Sequence, residues 1–292
     1  MKYAIIDIGS NSIRYMEEDR LCRKTITTRL GSGLAKTGII SAESLKKSAS
    51  VIAALANDAR HAGYIPEAYA TSAVRDCKNR EEVLNAIYEA SGVMPRVLTG
   101  EEEADFAFSA AVQPSEKGLI DIGGASTEIV TRDFSRSFPV GCVRGRDIAL
   151  METGSKNCDD NWPAQRRTLE DYMDKLFDFP NPDFSPCVGV GGSITTLAAL
   201  NLKLSGFEPK QVHNSVLTRP ALEEEISLLC SLGKKRREHP ILKKRHDVIL
   251  YGAALLAYLM DRFKLDSLRV SLRDGMDGYL MHLCSERGSC AD

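Results

Sequence analysis

The chain has 292 residues, of which 43% are hydrophobic and 27% are charged, and its formal net charge at pH 7 is -2. This composition is typical of a soluble globular protein and excludes disordered, fibrous and membrane-spanning classes. A nearly balanced charge provides no bulk attraction to nucleic acid, so no nucleic-acid partner is expected. At roughly 150 residues per domain, the length allows two domains.

The N-terminal segment, the apolar runs and the cysteines bear on location. The start, MKYAIIDIGS, has only a four-residue apolar run before an acid and lacks the core of a secretory signal peptide. No stretch approaches the roughly 20 apolar residues that cross a bilayer. The expected location is the cytoplasm, without a membrane partner. Eight scattered cysteines, none in Cys-x-x-Cys spacing, predict reduced, mostly buried thiols and no zinc site.

Hydrophobic periodicity in the first part of the chain predicts short strands that alternate with helices. Ser41 is the predicted N-cap of a helix that ends near Gly63, and Asn79 with Glu82 resembles a capping box at the start of the next helix. The first three strands are expected to pair as antiparallel neighbours. The predicted strands are residues 3–8, 13–17, 21–30, 67–71 and 96–100, and residues 101–112 form a predicted helix.

The segment 113–118, with Pro114 and several charges, is the best candidate for a domain boundary. Beyond it, the predicted strands are residues 119–122, 128–131, 136–139, 187–192 and 267–272. The predicted helices are residues 165–177, 193–204, 220–232, 247–263 and 274–284. Because strands and helices alternate throughout, the predicted class is α/β.

One short pattern occurs twice. AIIDIGSNS at residues 4–12 returns as GLIDIGGASTE at residues 118–128, and in each copy an apolar strand ends in Asp-Ile-Gly before small polar residues. Glycine permits a tight turn, and the following hydroxyl, amide and N–H groups suit phosphate oxygens. The two turns are expected to face each other and to hold a phosphate chain. The candidate phosphate-binding residues are Gly9, Ser10, Asn11 and Ser12, and Gly123, Gly124, Ser126 and Thr127.

Two further features belong to this pattern. Asp7 and Asp121 end the two strands, where a carboxylate could hold a hydrated divalent cation. A third glycine-rich turn, GVGGS at residues 189–193, precedes a helix whose N-terminus could face an anion through Gly191, Gly192 and Ser193. Close packing of strand against helix explains the same glycines equally well. The P-loop and dinucleotide-binding glycine motifs are absent.

Seven motifs in order carry a family resemblance. They are DIGSNSIR (7–14), ATSAVRD (70–76), LTGEEEA (98–104), DIGGASTE (121–128), VGCVRG (140–145), GVGGSITTLA (189–198) and VSLRDGMDG (270–278). Together they resemble the Ppx/GppA family of exopolyphosphatases and guanosine pentaphosphate phosphohydrolases, within the superfamily of actin, hexokinase and Hsp70. The resemblance covers nearly the whole chain.

The resemblance implies two ribonuclease-H-like, actin-like lobes with an active site in the cleft between them. The lobes would be residues 1–116 and 117–292, with the last helix, at about 274–285, packing back on the first lobe. The implied activity is magnesium-dependent hydrolysis of the terminal phosphate of inorganic polyphosphate, with guanosine pentaphosphate as the alternative substrate. A kinase of the same superfold and a non-catalytic sensor are further alternatives. A homodimer is plausible by family analogy alone.

Residue roles also follow from the resemblance. Glu103 matches the acid that activates water, and Glu102 is the second choice; the alternative is a glutamate cluster favoured by the helix dipole. Asp121 and Glu128 match the metal-binding acids, with Asp7 nearby. Arg75 matches an arginine that contacts substrate phosphates.

The sequence departs from the family pattern at Ala125, which replaces the usual third glycine of the second turn. If this position requires positive φ, alanine costs about 1 kcal/mol; otherwise its methyl narrows the phosphate site. The chain also lacks the C-terminal HD-like domain of long members, and His246 with Asp247 is interpreted as a helix start and not as a metal site. The basic run at residues 234–247 is either a solvated loop or an electropositive track for a polyanion.

Overall fold

The computed structural model describes residues 2–19 and 23–287. The strands are β1 Lys2–Ile8, β2 Ser12–Glu17, β3 Arg23–Thr27, β4 Tyr64–Ala70, β5 Arg96–Val97, β6 Gly118–Ile122, β7 Thr127–Thr131, β8 Ser135–Phe138, β9 Cys187–Val190, β10 Val216–Thr218 and β11 Ser267–Val270. The helices are α1 Leu34–Thr37, α2 Ala42–His61, α3 Ser72–Asp76, α4 Arg80–Ser91, α5 Gly100–Ala111, α6 Cys142–Thr153, α7 Trp162–Leu176, α8 Gly192–Asn201, α9 Pro209–Val212, α10 Arg219–Leu232, α11 Ile249–Arg262 and α12 Gly275–Glu286, with a 3-10 helix at Gly233–Arg237.

The strands form two sheets with the same internal order. The first, in lobe I, runs β3-β2-β1-β4-β5, and the second, in lobe II, runs β10-β11-β9-β6-β7-β8. In each, an antiparallel hairpin (β1–β2 or β6–β7) is followed by a parallel neighbour of its first strand (β4 or β9). Strand β10 extends the second sheet by antiparallel pairing with β11. The predicted α/β class with two ribonuclease-H-like lobes is therefore confirmed.

Each lobe has a hydrophobic core of its own. In lobe I, Ile6, Ile8 and Ile13 of the hairpin pack under α2 and α4. In lobe II, the larger core gathers around the apolar helix α11, in which Leu255 and Leu259 are fully buried. The two hairpins that carry the repeated motif are thus anchored in separate, well-packed bodies.

Helices α5 and α12 join the lobes. An alanine-rich face of α5, including Ala104 and Ala107, packs on the lobe II sheet beside Val130. The other face of α5 lies against α12, which covers the lobe I sheet at Ile5 and Tyr69. The helix that precedes the candidate boundary at 113–118 therefore packs into lobe II, and the last helix packs on lobe I.

Several local predictions need correction. The helix α6 was not predicted, because its buried residues lie on more than one side and leave weak periodicity. Asn79 makes no capping bond to α4; its side chain instead bonds the backbone N–H and C=O of Ile40. The strand predicted at 96–100 stops at Val97, because Thr99 caps α5. Part of the strand predicted at 21–30, Leu21 and Cys22, lies outside the described residues.

Six cysteines in the described ranges have free thiols, while Cys22 and Cys290 lie outside them. Across residues 2–19 and 23–287, no helix combines the length and apolar character needed to cross a membrane.

The contact between α12 and α5 leads to a stability prediction. A methyl group added at Gly278 of α12 would overlap the carbonyl of Phe106 on α5. Although alanine has the better helix propensity by about 1 kcal/mol, we expect Gly278→Ala to destabilise the protein by about 3 kcal/mol because backbone atoms cannot yield. The free energy of unfolding, measured with urea, checks this.

Gly206 supplies the matched control, since nothing lies within 4 Å of a methyl group added there. We expect Gly206→Ala to change the free energy of unfolding by less than about 0.5 kcal/mol. Equal stability of the two variants would contradict the close packing of α12 on α5.

Candidate active site

The two repeated motifs form matching turns. In the first, the N–H of Gly9 donates to the carbonyl of Ser12 at 3.2 Å, and in the second the N–H of Gly123 donates to the carbonyl of Ser126 at 3.0 Å. A methyl added at Gly124 would lie 2.7 Å from Cβ of Ser10. The turns therefore face each other in contact, as the sequence predicts.

The start of α6 closes over the second turn. The N–H groups of Cys142, Val143 and Arg144 donate to the carbonyls of Gly123 and Gly124 at 2.7 to 3.0 Å. These first-turn amides are usually open to an anion. Here they are occupied by the chain itself, so the VGCVRG motif fixes the shape of the turn.

The predicted phosphate donors differ in whether their polar groups already form hydrogen bonds within the protein. The hydroxyl of Thr127 is fully buried and donates to the carbonyl of Val140 at 2.5 Å, so its proton is not free for a phosphate oxygen in this arrangement. The carbonyl of Asn11 accepts from the N–H groups of Thr28 and Arg29 at 3.1 and 3.0 Å. The side chains of Ser10, Asn11, Ser12 and Ser126 are buried at the turns.

The two hairpins carry different charges at equivalent positions. Asp7 pairs in register with Arg14, whereas Asp121 pairs in register with Glu128. Nε of Arg14 donates to Asp7 at 2.6 Å, and its guanidinium also forms an ion pair with Asp274. Because a cation at Asp7 would compete with this guanidinium, the geometry favours Asp121 and Glu128 as metal ligands over Asp7.

Three acids converge where α5 meets the second hairpin. Burial raises the pKa of Asp121 to about 8, and the carboxylate of Glu128 adds to the rise. Burial likewise raises the pKa of Glu103 well above its usual range, with Glu128 adding and Arg75 opposing. The pKa of Glu128 is also raised by burial, against a bond from Ser137. The cluster holds more negative charge than its protein surroundings neutralise.

The cluster fits a divalent cation held partly by other ligands. Oε1 of Glu128 accepts from the hydroxyl of Ser137 at 2.7 Å, while buried Oε2 has no hydrogen-bond partner in the described part of the chain. Within the described ranges, no three or more His, Cys, Asp or Glu side chains form a complete metal cage. Magnesium commonly takes one or two carboxylates together with water and substrate phosphates. Asp121 and Glu128 suit that arrangement.

Glu102 and Glu103 point in different directions at the start of α5 and make different contacts. Glu102 forms a capping box with Thr99 and an ion pair with Arg96, and the hydrogen bond from the Thr99 N–H lowers its pKa. Glu103 points inward and accepts from Arg75 at 3.1 Å. Glu102 therefore stabilises the helix end, and Glu103 is the acid that faces the cluster.

Arg75 lies between Glu103 and a cavity at the protein surface. Its guanidinium also donates to the carbonyl of Leu98 at 3.0 Å. A cavity of about 450 Å³ opens beside it, lined in part by Ser126, Arg136 and Ser137. The cavity wall carries two cations, Arg75 and Arg136, and two acids, Asp76 and Glu101, so a phosphate group there would contact the guanidinium groups directly.

The third glycine turn, at Gly191 and Gly192, is closely packed and has a guanidinium beside it. Gly191 has φ of 90°, and a methyl there would lie 2.6 Å from Oδ1 of Asp121, so close packing requires glycine. Ser193 is fully buried, and its hydroxyl lies beside the thiol of Cys142 without a hydrogen bond of ordinary geometry to any described residue. The guanidinium of Arg245 lies directly over Gly192.

Arg245 is the functional candidate that the motifs missed. No ion pair joins it to an acid within the described part of the chain, and burial lowers its pKa, although a guanidinium stays charged at neutral pH. Its only trace in the sequence is membership of the basic run at 234–247. A half-buried cation that forms no ion pair within the described residues, beside a glycine turn, is suited to an anion.

The raised carboxylate pKa values predict a pH-dependent stability. Asp121 binds its proton more tightly when folded, so stability falls as pH rises from about 4 to 8. With chelator present, we expect Asp121→Asn to be more stable than wild type by roughly 5 kcal/mol at pH 8, because each unit by which the pKa is raised corresponds to about 1.4 kcal/mol, and equal to it near pH 4. Melting temperatures at both pH values check this, with exposed Asp178→Asn as control. A stabilisation that is the same at both pH values would contradict the assignment.

Ala125 gives a second prediction. Its φ is not positive, so of the two alternatives the backbone strain does not apply, and its methyl is buried. We expect Ala125→Gly to lose about 1 kcal/mol of stability through the greater freedom of the unfolded chain. Phosphate release should stay within about threefold of wild type. A tenfold gain in kcat/KM would show that the methyl obstructs the site.

Known proteins resemble this chain in sequence and in fold. The sequence profile of the Ppx/GppA phosphatase family matches residues 12–284. Exopolyphosphatase 2 of Mycobacterium tuberculosis is 30% identical over 319 aligned positions, which cover 97% of this chain and 98% of that protein. The solved PPX-GPPA enzyme of Aquifex aeolicus is 27% identical, with a TM-score of 0.75 and coverage of 97% and 99%. An exopolyphosphatase from Cytophaga hutchinsonii shares the fold, with a TM-score of 0.86 at 19% identity and 98% coverage of both chains.

The family profile covers residues 12–284, which include the second turn and Glu103, Asp121 and Glu128, and the Mycobacterium tuberculosis relative matches over 97% of the chain. The chain therefore belongs to the Ppx/GppA phosphatase family and is a phosphoanhydride hydrolase with the actin-like fold.

Proposed function

We propose that this protein is an exopolyphosphatase that removes the terminal phosphate of inorganic polyphosphate with Mg²⁺. The observation that carries the proposal is the convergence of Glu103, Asp121 and Glu128 beside the guanidinium of Arg75 and a cavity. An acid that can take a proton, two acids that suit a cation and an arginine for phosphate are the groups that this hydrolysis needs.

Glu103 is the proposed general base. Its raised pKa makes it a better proton acceptor than an ordinary glutamate, and its bond to Arg75 sets its direction. Water attacks the terminal phosphorus, and its proton passes to Glu103 as the new P–O bond forms. The anhydride P–O bond breaks, and its electron pair leaves with the shortened chain. The products are orthophosphate and a polyphosphate one unit shorter.

Arg75 and the turn amides are the proposed holders of the terminal phosphate. Donors placed around the phosphoryl oxygens stabilise charge in the transition state. Arg245 and the serines of the turns would hold the next units. A magnesium ion at Asp121 and Glu128 would neutralise phosphate charge and the excess charge of the acids.

The named relative supports polyphosphate as substrate, since the protein of Mycobacterium tuberculosis that matches along the whole chain is called Exopolyphosphatase 2. Guanosine pentaphosphate, the other substrate class in the family name, offers the same terminal anhydride to the same residues. Release of phosphate from both compounds, side by side with magnesium or chelator, decides between them.

Glu103→Gln tests the mechanism. The amide keeps the shape of the side chain and removes the base, so we expect phosphate release from polyphosphate to fall by about 10²- to 10⁴-fold. Binding of polyphosphate, measured by calorimetry, should remain within about threefold because the phosphate-binding groups are intact.

Glu102→Gln is the matched control on the same helix. It weakens the ion pair with Arg96 and leaves the inward face unchanged, so turnover should stay near wild type. A large loss of turnover in Glu102→Gln with little loss in Glu103→Gln would reverse the assignment of the base.

A further inference from the structure

The carboxylate of Asp274, at the start of α12, makes contacts in two directions. Its Oδ1 accepts from the N–H of Met276 at 3.0 Å and caps the helix, while its Oδ2 forms an ion pair with the guanidinium of Arg14 on β2. The N–H of Asp274 donates to Oδ2 of Asp277 at 3.2 Å, which completes a capping box. Capping requires an oxygen acceptor, and asparagine supplies one as well as aspartate does. The negative charge of Asp274 is therefore not needed to start the helix.

The packing of α12 fixes the position of this carboxylate. Met276 and Tyr279 pack with Ile5 and Tyr69 of the lobe I sheet. On another side, Gly278 allows the helix to lie directly against the backbone of α5. Because α12 is held by both the sheet and α5, its first turn has little freedom to move. The ion pair to β2 is therefore anchored at a fixed point.

Two acids on the lobe I side hold the guanidinium of Arg14. Its Nε donates to Asp7 at 2.6 Å, and a terminal nitrogen pairs with Asp274. The side chain of Arg14 is 30% exposed, whereas those of Asp7 and Asp274 are 2% and 13% exposed. In the described part of the chain, both hydrogen-bond partners of this guanidinium are carboxylates. The direction of the guanidinium is therefore set by Asp7 and Asp274 together.

A third acid lies within electrostatic reach of the same guanidinium. The contact between the two glycine turns brings the lobe II hairpin, with Asp121, close to the lobe I hairpin. Burial and the carboxylate of Glu128 raise the pKa of Asp121. The guanidinium of Arg14 opposes that rise, and the carboxylate of Asp274 adds to it. The ion pair between Arg14 and Asp274 therefore acts on the acids that suit a cation.

These charges offer Arg14 two competing positions. Asp121 and Glu128 together carry two negative charges when ionised, and a guanidinium that moved toward them would take the place of a divalent cation. With Asp274 ionised, the guanidinium is held on Asp7 by a second acid of the same side. Without that charge, Arg14 would be shared between Asp7 and Asp121.

We propose that Asp274 is a positioning residue that holds Arg14 on Asp7 and so leaves Asp121 open to a divalent cation. The inference rests on the cation site of the proposed function. In this role Asp274 contacts the guanidinium and not the cation. The last helix thereby controls the cation affinity of a hairpin in the other lobe.

The test is the binding of Mn²⁺, a spectroscopic substitute for Mg²⁺, to the full chain without substrate. Free Mn²⁺ is measured by electron paramagnetic resonance with wild type and with Asp274→Asn, which keeps a cap oxygen and removes the charge. Asp274→Ser, which also caps a helix and carries no charge, is the second variant. The matched control is Asp277→Asn in the same capping box, whose carboxylate pairs with Arg23 at 2.8 Å. Melting temperatures show that the variants fold.

We expect Asp274→Asn and Asp274→Ser to bind Mn²⁺ about tenfold more weakly than wild type, and Asp277→Asn to stay within about threefold. The control loses the same charge from the same turn of α12, so it measures the effect of net charge alone. Equal losses in the Asp274 and Asp277 variants, or no loss in either, would overturn the inference.

A double-mutant cycle tests whether the effect passes through Arg14. The background is Arg14→Gln made together with Asp7→Asn, so that no buried carboxylate is left unpaired. Here the further change Asp274→Asn should alter Mn²⁺ affinity by less than about threefold, since no guanidinium remains to move. A tenfold loss in this background as well would overturn the positioning role, because Asp274 would then act on the cation directly.

Phosphate release from polyphosphate separates this inference from the proposed function. Release by wild type, with equal Mn²⁺ affinity in Asp274→Asn and Asp277→Asn, would overturn the role of Asp274 while the activity stands. Selective loss of Mn²⁺ affinity in Asp274→Asn, without any release by wild type, would support that role and reject the activity. Failure of wild type to bind Mn²⁺ would overturn the inference, and release with magnesium or chelator would decide the activity on its own.

Discussion

The contact between the two glycine turns is the constraint on which the site depends. Gly124 lies against Ser10, and the space between them admits no additional side-chain carbon. Because each turn ends a strand buried in its own lobe, the contact sets the distance between the two bodies. The N–H groups at the start of α6 then donate hydrogen bonds to the carbonyl groups of the second turn. Relative motion of the lobes would therefore open or close the phosphate site directly.

The two hairpins have the same topology but belong to chemically unlike halves. The same register position is Arg14 in lobe I and Glu128 in lobe II. One half consequently neutralises its own aspartate, whereas the other leaves two acids that repel each other until a cation arrives. The opposite charge at this one equivalent position therefore makes the two lobes different. The lobe I hairpin is electrically neutral by itself, whereas the lobe II hairpin needs a bound cation to become neutral. The asymmetry explains why Asp121 suits a metal better than Asp7.

Sequence predicts the local parts of this site and misses those that depend on distant packing. The turns were predictable because an apolar run, Asp-Ile-Gly and small polar residues specify a strand end within a few positions. The role proposed for Glu103 came from family resemblance, since its burial beside Glu128 is a tertiary property. The hydrogen bond from Thr127 to Val140 could not be predicted, because a hydroxyl in a motif does not reveal its acceptor. Arg245 could not be predicted, because its place over Gly192 is decided by how α8 and the basic run pack.

The packing of α12 has a consequence for how the chain folds. The lobe I sheet uses Ile5 and Tyr69 to bind Met276 and Tyr279, so residues from opposite ends of the sequence complete one small core. Such contacts close the longest loop that the chain can form and delay folding. During synthesis, one face of lobe I stays open to water until all of lobe II has been made. A ribosome-bound intermediate with exposed β1 and β4 is therefore the form of this protein most open to chaperones and to aggregation.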